Sequence, residues 1–382
     1  MNDIEYKNNN EISILDKVQC YLPKLHVNGT TVGSLKSKSL KKLAEKFNEL
    51  SIDTLMKIPS ELFLECIDLI DTSSISPNHI YIDSEWFWKR EMTKNYRNLP
   101  RLNQYGFSYK RMFLEKWLSS HIVSSQISID DLSSLSEYIW SLNLVFSQTI
   151  PSFVIDRCHQ LHNLTSLSIC CVQIKDLDSI KTLATSIVSL KSLTSLSLTN
   201  SICIDDDFIR LLINEFEVMK QIEGCHVDIC TTLLALDLSK NKISTDGLHM
   251  IMDYFLGQGE QSVLVDLNLG CNLIRSEAAR TIGRVLKNNC SLIHLDLSIN
   301  SIGDGGPMLI EGLLHNKTLK VLNAACNRLT SSTFPALMNL LDQNMTLQKL
   351  DLSSNNFDIE DISKLKNHIG RRSNIINIDL DN

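Results

Sequence analysis

Residues 292–302 read Leu-Ile-His-Leu-Asp-Leu-Ser-Ile-Asn-Ser-Ile, and this stretch decides the fold because the chain repeats it. Four other segments keep the frame Leu-x-x-Leu-x-Leu-x-x-Asn-x-Ile with few changes at its apolar positions. They are Leu233–Ile243, Leu264–Ile274, Leu319–Leu329 and Leu347–Phe357. The asparagines, from Asn241 to Asn355, follow one another at intervals of 31, 28, 27 and 28 residues. A fixed period of this length indicates stacked structural repeats.

Each residue type in the frame has a physical role. Leu295 and Leu297 have the spacing of a strand whose leucines point into a core and whose other residues face outward. Asn300 then turns the chain, and its side-chain amide can pair with backbone groups that no strand reaches. The rest of each period has helical apolar spacing, as in Ser276–Leu286. The frame therefore predicts an α/β leucine-rich-repeat solenoid with parallel strands on the concave side and helices on the convex side, which resembles the ribonuclease-inhibitor class of repeats.

Weaker copies of the frame flank the regular ones. Two earlier segments keep the leucines, but Val172 and Ser201 stand where the asparagine is expected, and terminal repeats are often atypical in this way. The 40 residues between Ser201 and Asn241 exceed one repeat, which predicts an inserted loop near Met219–Thr231. After the last full copy, Ile375–Leu380 supplies a capping strand.

The length of 382 residues suits an elongated array preceded by a second module. We predict an extended or disordered arm over residues 1–35, a helical basic and aromatic module over residues 36–160, and the leucine-rich-repeat domain over residues 161–382. Helical apolar spacing in the module, including a helix that starts near Pro59, favours a small helical bundle.

Charge is unevenly distributed along the chain. Residues 1–160 carry 18 Lys and Arg against 19 Asp and Glu, and residues 161–382 carry 19 against 25, a net charge of −6. An acidic repeat domain argues against nucleic acid as its ligand. With no signal-peptide pattern and no apolar window long enough for a membrane span, we expect a cytoplasmic protein without a membrane partner. Its 11 scattered cysteines are typical of reduced thiols in that compartment.

The residues between the core leucines form outward columns on the strands. In the carboxy-terminal half these columns become acidic and polar, which makes the concave face the first candidate for partner binding. Its candidate residues are Asp237, Asp266, Asn268, Asp296, Asn323, Asp351 and Asp379. Two interpretations stay open. The aspartates bond locally within each repeat, or they receive a Lys- and Arg-rich segment of a partner through charge complementarity.

A second candidate surface is basic. Between Trp86 and Trp117 there are eight Lys or Arg residues against two Glu, a local charge of +6. The basic residues are Lys89, Arg90, Lys94, Arg97, Arg101, Lys110, Arg111 and Lys116. Aromatic residues between bases can stack on nucleobases, but Trp86, Phe113 and Trp117 are more simply the core of two helices whose bases reach outward. Such a surface suits an acidic protein, including the acidic tails of tubulin.

A family resemblance follows from these segments. Tyr-Lys-Arg-Met-Phe-Leu-Glu-Lys-Trp-Leu at residues 109–118, preceded by Trp-Lys-Arg at 88–90 and followed by degenerate and then regular repeats, resembles the dynein regulatory complex subunit 5 family, or T-complex-associated testis-expressed protein family. The similarity runs from about Ile58 to the carboxy terminus. It implies a structural subunit of the nexin-dynein regulatory complex, which links doublet microtubules in the axoneme of motile cilia and flagella and constrains dynein-driven sliding. The implied partners are the other subunits of that complex.

A competing resemblance concerns Ile58–Ile67, which is similar to the opening helix of an F-box. On this interpretation the chain is a substrate receptor of a cullin-type ubiquitin ligase. Asp71–Pro77, however, is predicted to be a loop at the place where that motif has a helix.

An enzyme is the third interpretation. Two clusters, Cys158-His159-x-x-His162 near Cys170-Cys171 and Cys225-His226 with Cys230, could suggest zinc, but neither has two properly spaced pairs of zinc ligands. The sequence also lacks a phosphate-binding loop and a nucleophile elbow. We therefore expect no catalytic activity, no cofactor and no small-molecule substrate.

Overall fold

The computed structural model describes residues 31–47, 58, 60–67, 69–70, 82, 84–96, 101–106, 108–122, 129–146, 158, 160–174, 176–221, 232–257, 261–369 and 377–380. The chain forms two compact units. The first comprises Met1–Trp117 with Ser128–Tyr138, and the second comprises Leu118–Ile127 with Ile139–Asn382. In these described ranges, no helix is both long and apolar enough to cross a membrane.

The amino-terminal unit is helical where it is described, as its apolar spacing predicts. Its helices are α1 (Thr31–Glu45), α2 (Ser60–Ile67), α3 (Glu85–Asn95), α4 (Tyr109–His121) and α5 (Ile129–Leu135), with a 3-10 turn at Leu102–Tyr105. Helix α2 is the one predicted near Pro59. Helix α1 begins inside the segment assigned to an extended arm, and the rest of that arm, residues 1–30, lies outside the described residues.

The core between α3 and α4 is aromatic. Phe87 and Trp88 are fully buried, and their rings meet edge to face with 5.1 Å between centroids. The Trp88 ring also lies 5.3 Å from that of Phe113. Its indole N–H donates to the carbonyl of Ile82 at 2.9 Å, so the polar atom is satisfied inside the core.

The prediction that Trp86 lies in this core is wrong. Its side chain is 59% exposed, because it stands about 200° around the helix from Trp88 and therefore on the opposite side. Trp117 is only half-buried, whereas Phe113 is buried as predicted.

Within its described residues, the second unit contains one parallel sheet of nine strands in sequential order. The strands are β1 (Ser141–Val145), β2 (Ser166–Cys170), β3 (Ser195–Thr199), β4 (Ala235–Asp237), β5 (Asp266–Asn268), β6 (His294–Asp296), β7 (Val321–Asn323), β8 (Lys349–Asp351) and β9 (Asn377–Asp379). Leu236, Leu267 and Leu295 lie opposite one another on neighbouring strands. The repeat frame therefore stacks in phase, which confirms the predicted solenoid, and β9 pairs with β8 where Ile375–Leu380 is predicted to supply a strand.

The sheet reaches back beyond the predicted domain start at Leu161. Strand β1 pairs in register with β2, with Leu142 opposite Leu167 and Leu144 opposite Ile169. This strand has the alternating leucines of a repeat but lacks the asparagine and the regular spacing, so the frame did not reveal it. Its burial pattern places both leucines inside and Asn143 and Val145 outside.

Helices return the chain between strands. They are α6 (Leu177–Ser189), α7 (Asp206–Gln221), α8 (Thr245–Ile251, continued by a π-helical turn at Met252–Leu256), α9 (Ala278–Asn288), α10 (Gly306–Leu313), α11 (Phe334–Gln343) and α12 (Ile359–Ile369). Because packed helices need about 8–10 Å between axes and strands only about 4.8 Å, the strand side of the stack is the shorter, concave one. Of the predicted loop at Met219–Thr231, the first three residues belong to α7 and the remainder lies outside the described residues.

The predicted asparagine ladder is present and buried. In the β6 repeat, the Asn300 amide donates to the carbonyls of Leu269 and Leu297 at 3.0 Å each, and its oxygen accepts from the N–H of Ile274 at 3.1 Å. Each such asparagine thus joins its own repeat to the preceding one. Where Ser201 replaces the asparagine, its hydroxyl oxygen accepts from the N–H of Val172 at 3.0 Å, which preserves part of this link.

A second asparagine ladder, which the sequence reasoning missed, lies where the helices end. Its members are Asn289, Asn316 and Asn344, all buried. Asn316 donates to the carbonyl of Leu286 at 2.7 Å and accepts from the N–H of Leu319 at 2.7 Å. The signal was present, since each of these asparagines stands three residues before the first leucine of a frame.

A residue with left-handed backbone follows each of the strands β2 to β8, a few residues after the strand or directly at its end. Seven residues with φ between 53° and 66° stand directly before the ladder position: Cys171, Asn200, Lys240, Cys271, Ile299, Cys326 and Ser354. These seven residues, here called the left-handed column, turn the chain away from the strand while N–H groups among them still donate to the next repeat. The N–H of Ile299, for example, donates to the carbonyl of Ala325 at 2.9 Å. Ile299 is the one β-branched member, and such residues are strained at positive φ.

We expect Asn289→Ala to lower the free energy of unfolding by roughly 2–4 kcal/mol, because it leaves at least two buried backbone groups unpaired. The neighbouring Asn288→Ala is the matched control, since Asn288 is exposed at the end of α9 and should change stability by less than about 0.5 kcal/mol. Urea unfolding followed by circular dichroism measures both. Equal effects of the two substitutions would contradict the role of the second ladder.

Ile299→Asn should stabilise the protein by about 1 kcal/mol, because asparagine tolerates positive φ and isoleucine does not. Ile299→Val keeps the β-branch and should bring no gain. Thermal unfolding of the two variants beside the parent chain tests this, and a melting temperature of Ile299→Asn at or below that of Ile299→Val speaks against strain at this position.

Candidate protein-binding surface

The outward residues of the strands form continuous columns because the nine strands are in register. The middle column runs Asn143, Ser168, Ser197, Asp237, Asn268, Asp296, Asn323, Asp351 and Asp379. Its first three members are uncharged, and from β4 onward every member is Asp or Asn. The structure therefore brings the predicted concave residues together on one face, here called the strand face.

Local bonding is confirmed for the five middle-column residues of β4 to β8. The Oδ1 atoms of Asp237, Asp296 and Asp351 accept from backbone N–H groups two residues further on, at 2.9, 2.8 and 3.1 Å. Asn268 and Asn323 make the same bond at 2.9 and 3.1 Å. The turn after the strand thus needs a side-chain oxygen at this position, but it does not need a charge.

Other groups modify the acidic half of the strand face. Asp266 lies on β5 two residues before the middle-column residue Asn268, and its Oδ2 is 3.3 Å from Nδ1 of His294 on the next strand. Lys349 stands at the equivalent place on β8 and is exposed. Asp379 on β9 is also exposed. The face is therefore acidic in its carboxy-terminal half, with His294 and Lys349 as local exceptions.

Buried carboxylates take up part of the charge of the predicted basic surface. Glu91 and Glu115 are 1% and 3% exposed. Arg90 pairs with Glu91 at 2.8 Å, and the Nζ atom of Lys94 lies 4.0 Å from the same carboxylate. Arg111 pairs with Glu115 at 2.9 Å. Several of the predicted bases thus belong to ion pairs inside the unit, where they keep the buried acids compensated.

The remaining basic residues differ in exposure. Lys110 is buried, and its ammonium nitrogen lies 4.2 Å from the ring centroid of Tyr138. Lys116 is half-buried, and its ammonium nitrogen lies 5.5 Å from the ring centroid of Tyr96. Lys89 and Arg101 are exposed, and Arg97 lies outside the described residues. Any basic patch on the described surface is consequently smaller than the sequence charge of this segment.

The segment that carried the family resemblance is mainly a packing segment. Residues 109–118 lie in α4, where Met112, Phe113, Leu114 and Leu118 are at most 2% exposed. Its polar residues Lys110 and Glu115 are buried as well. The resemblance therefore rests on residues that build the amino-terminal unit rather than on an exposed site.

The Cys and His clusters give no metal centre in the described part of the chain, where no group of three or more His, Cys, Asp or Glu side chains could hold an ion. Burial raises the pKa of the Cys158 thiol to about 12, so this thiol stays protonated at neutral pH and is a poor zinc ligand. His162 is exposed. His159 and the cluster at Cys225–Cys230 lie outside the described residues.

Comparison with known proteins agrees with this fold. A family model described as "Leucine Rich repeat" matches residues 230–252, 288–310 and 343–366. Over 205 residues the chain is 28% identical to human "NACHT, LRR and PYD domains-containing protein 5", an alignment that covers 48% of this chain and 17% of that protein. Over 140 residues it is 31% identical to the ribonuclease inhibitor of Sus scrofa, covering 35% of this chain and 30% of that one.

A solved structure also matches in outline. Internalin C2 from Listeria monocytogenes has 18% sequence identity and a TM-score of 0.41, over 70% of this chain and 92% of the internalin chain. With the strand register and the two asparagine ladders, the repeat matches define the class of fold: the chain folds as a leucine-rich-repeat solenoid. It spans less than a third of the length of either curated relative described above.

Asp237→Asn should leave the melting temperature within about 1 °C of the parent, because asparagine makes the same bond to the backbone in the neighbouring repeats. Asp237→Ala should lower the free energy of unfolding by about 1 kcal/mol, since the N–H of Ser239 then loses its partner. Differential scanning calorimetry of both variants measures the difference. A destabilised Asp237→Asn would mean that the fold itself needs the charge.

Proposed function

We propose that this chain is a non-catalytic scaffold protein whose strand face binds a basic segment of another protein. The observation that carries the proposal is the use of aspartate where asparagine serves the turn equally well. Asn268 and Asn323 make the same backbone bond as Asp237, Asp296 and Asp351. The turn bond therefore does not require the negative charge of the three carboxylates, although Oδ2 of Asp296 also accepts from the side-chain amide of Asn323 at 3.0 Å. Such charge is suited to attracting a Lys- and Arg-rich partner.

We further propose that the chain is a structural subunit of the nexin-dynein regulatory complex in the axoneme of motile cilia and flagella. The resemblance of residues 58–382 to the dynein regulatory complex subunit 5 family supports this assignment. A subunit that links doublet microtubules needs surfaces rather than a reaction centre. The strand face supplies one such surface, and the exposed bases Lys89 and Arg101 of the amino-terminal unit suit acidic partners such as the tails of tubulin.

The strand-face proposal predicts that Asp237→Asn, Asp296→Asn and Asp351→Asn together weaken binding of the full-length chain to salt-washed axonemes by roughly tenfold, about 1.4 kcal/mol. The reason is that three attractive charges are removed while the turn bonds remain. Co-sedimentation at increasing chain concentration measures the affinity, and the defect should shrink as salt is added because screening already weakens the parent.

The matched control is Glu277→Gln, Asp304→Asn and Glu311→Gln, which removes three exposed acidic charges from the helix side of the stack. This control should bind like the parent. If the strand-face variant binds as tightly as the parent, the strand face is not the partner-binding surface. No binding of the parent chain, together with co-purification of a Skp1-type adaptor, would replace the axonemal proposal by that of a ubiquitin-ligase receptor.

A further inference from the structure

Two thiols meet at the uncharged end of the strand face. Cys170 is the last residue of β2 and Cys171 follows it directly, and their sulfur atoms lie 3.3 Å apart. Both side chains are half-buried. They form a cysteine pair that the functions discussed above do not use.

The left-handed backbone explains why adjacent side chains come together. Along a strand, successive side chains point to opposite faces, so neighbouring residues are normally kept apart. Cys171 has φ of 66°, which ends the alternation and turns its side chain toward that of Cys170. The meeting of the thiols is therefore built into the turn that every full repeat makes.

The same two positions recur in the other repeats without a second cysteine pair. The corresponding residues are Thr199-Asn200, Ser239-Lys240, Gly270-Cys271, Ser298-Ile299, Ala325-Cys326 and Ser353-Ser354. Single cysteines at the second position, as in Cys271 and Cys326, thus lack a neighbouring thiol in their own turn. Serine at either position is compatible with the fold, which supplies substitutions that preserve the structure.

Polar neighbours hold the pair in place. The side-chain amide of Asn200 donates to the sulfur of Cys171 at 3.0 Å. Burial raises the pKa of the Cys170 thiol, while a hydrogen bond with Thr199 and the charge of Lys240 act in the opposite direction. A Cys170 thiol that is mainly protonated at neutral pH reacts slowly with alkylating agents that need a thiolate.

The short Cα–Cα distance of adjacent residues favours a ligand that bridges the two sulfurs over a direct disulfide. Adjacent Cα atoms are about 3.8 Å apart across a trans peptide, whereas disulfides ordinarily join Cα atoms about 4.4–6.8 Å apart. Direct closure of the pair is therefore strained and easily reversed. One atom placed between the sulfurs lengthens the link and relieves that strain.

We propose that Cys170 and Cys171 form a chelating site for a soft, thiophilic centre of the trivalent arsenic class. Reaction with an organoarsenic dihydroxide forms two As–S bonds and breaks two As–O bonds. Each thiol proton leaves with one hydroxyl group as water, and arsenic keeps its oxidation state. The soft sulfur pair matches the ligand preference of such centres.

The experiment uses the full-length reduced chain and phenylarsine oxide, with native mass spectrometry and competition by a small dithiol as readouts. The parent should bind one equivalent at least tenfold more tightly than Cys170→Ser, Cys171→Ser or Cys171→Asn. These variants reproduce residues found at the same positions in other repeats, and unchanged circular dichroism verifies that they fold. Iodoacetamide should label Cys170 slowly in the parent.

Two controls locate the site. Cys271→Ser with Cys326→Ser removes single thiols of the left-handed column and should leave tight binding intact. Cys225→Ser with Cys230→Ser removes the other closely spaced pair and should also leave it intact. The proposal is overturned if tight binding survives in Cys170→Ser and Cys171→Ser, or disappears in the Cys225 and Cys230 variant.

Discussion

The repeat unit depends on one constraint: the buried backbone N–H and C=O groups beyond the ends of the short strands must find hydrogen-bond partners. From β4 onward each strand has only three residues, so the chain leaves the sheet while still inside a leucine-filled interior. An unpaired carbonyl or N–H group there costs about 1–3 kcal/mol. The buried asparagine after each of the strands β4 to β8 supplies both a donor and an acceptor, and it reaches into the preceding repeat. Stacking in phase is therefore a requirement of hydrogen bonding as well as of apolar packing.

The character of the strand face follows from that stacking. Fixed register turns single positions of the repeat into columns, so a preference for Asp or Asn at one position becomes a polar stripe along the whole face. Because the turn asks only for an oxygen acceptor, the choice between Asp and Asn sets the charge of the stripe with little effect on the fold. The left-handed residue that follows each full strand has a similar freedom, within the limits that positive φ places on side chains. Surface chemistry can thus vary from repeat to repeat while the interior stays constant.

The amino-terminal unit combines charge and packing differently. Counted along the sequence, its basic residues indicate a positively charged surface. Glu91 and Glu115 are buried, however, and they form ion pairs with Arg90 and Arg111. A buried carboxylate without such a partner would be strongly destabilising. Part of the positive charge of this segment therefore serves the stability of the helical unit, and counting residues overstates the surface that remains for a partner.

The sequence by itself determined the repeat unit: the phase of the leucines, the parallel strands, the first asparagine ladder and the membership of the strand face. These follow from periodicity, because every repeat must satisfy the same local requirements. Tertiary structure decided what periodicity does not encode. It added β1 to the sheet, placed Trp86 outside the core and Trp88 inside it, and brought the thiols of Cys170 and Cys171 together. Close packing of α9 against α10 also requires glycine at positions 283 and 312, because a Cβ at Gly312 would overlap the Cα of Gly283. Such features depend on which surfaces meet in three dimensions, and steric contact between distant residues leaves no period in a single chain.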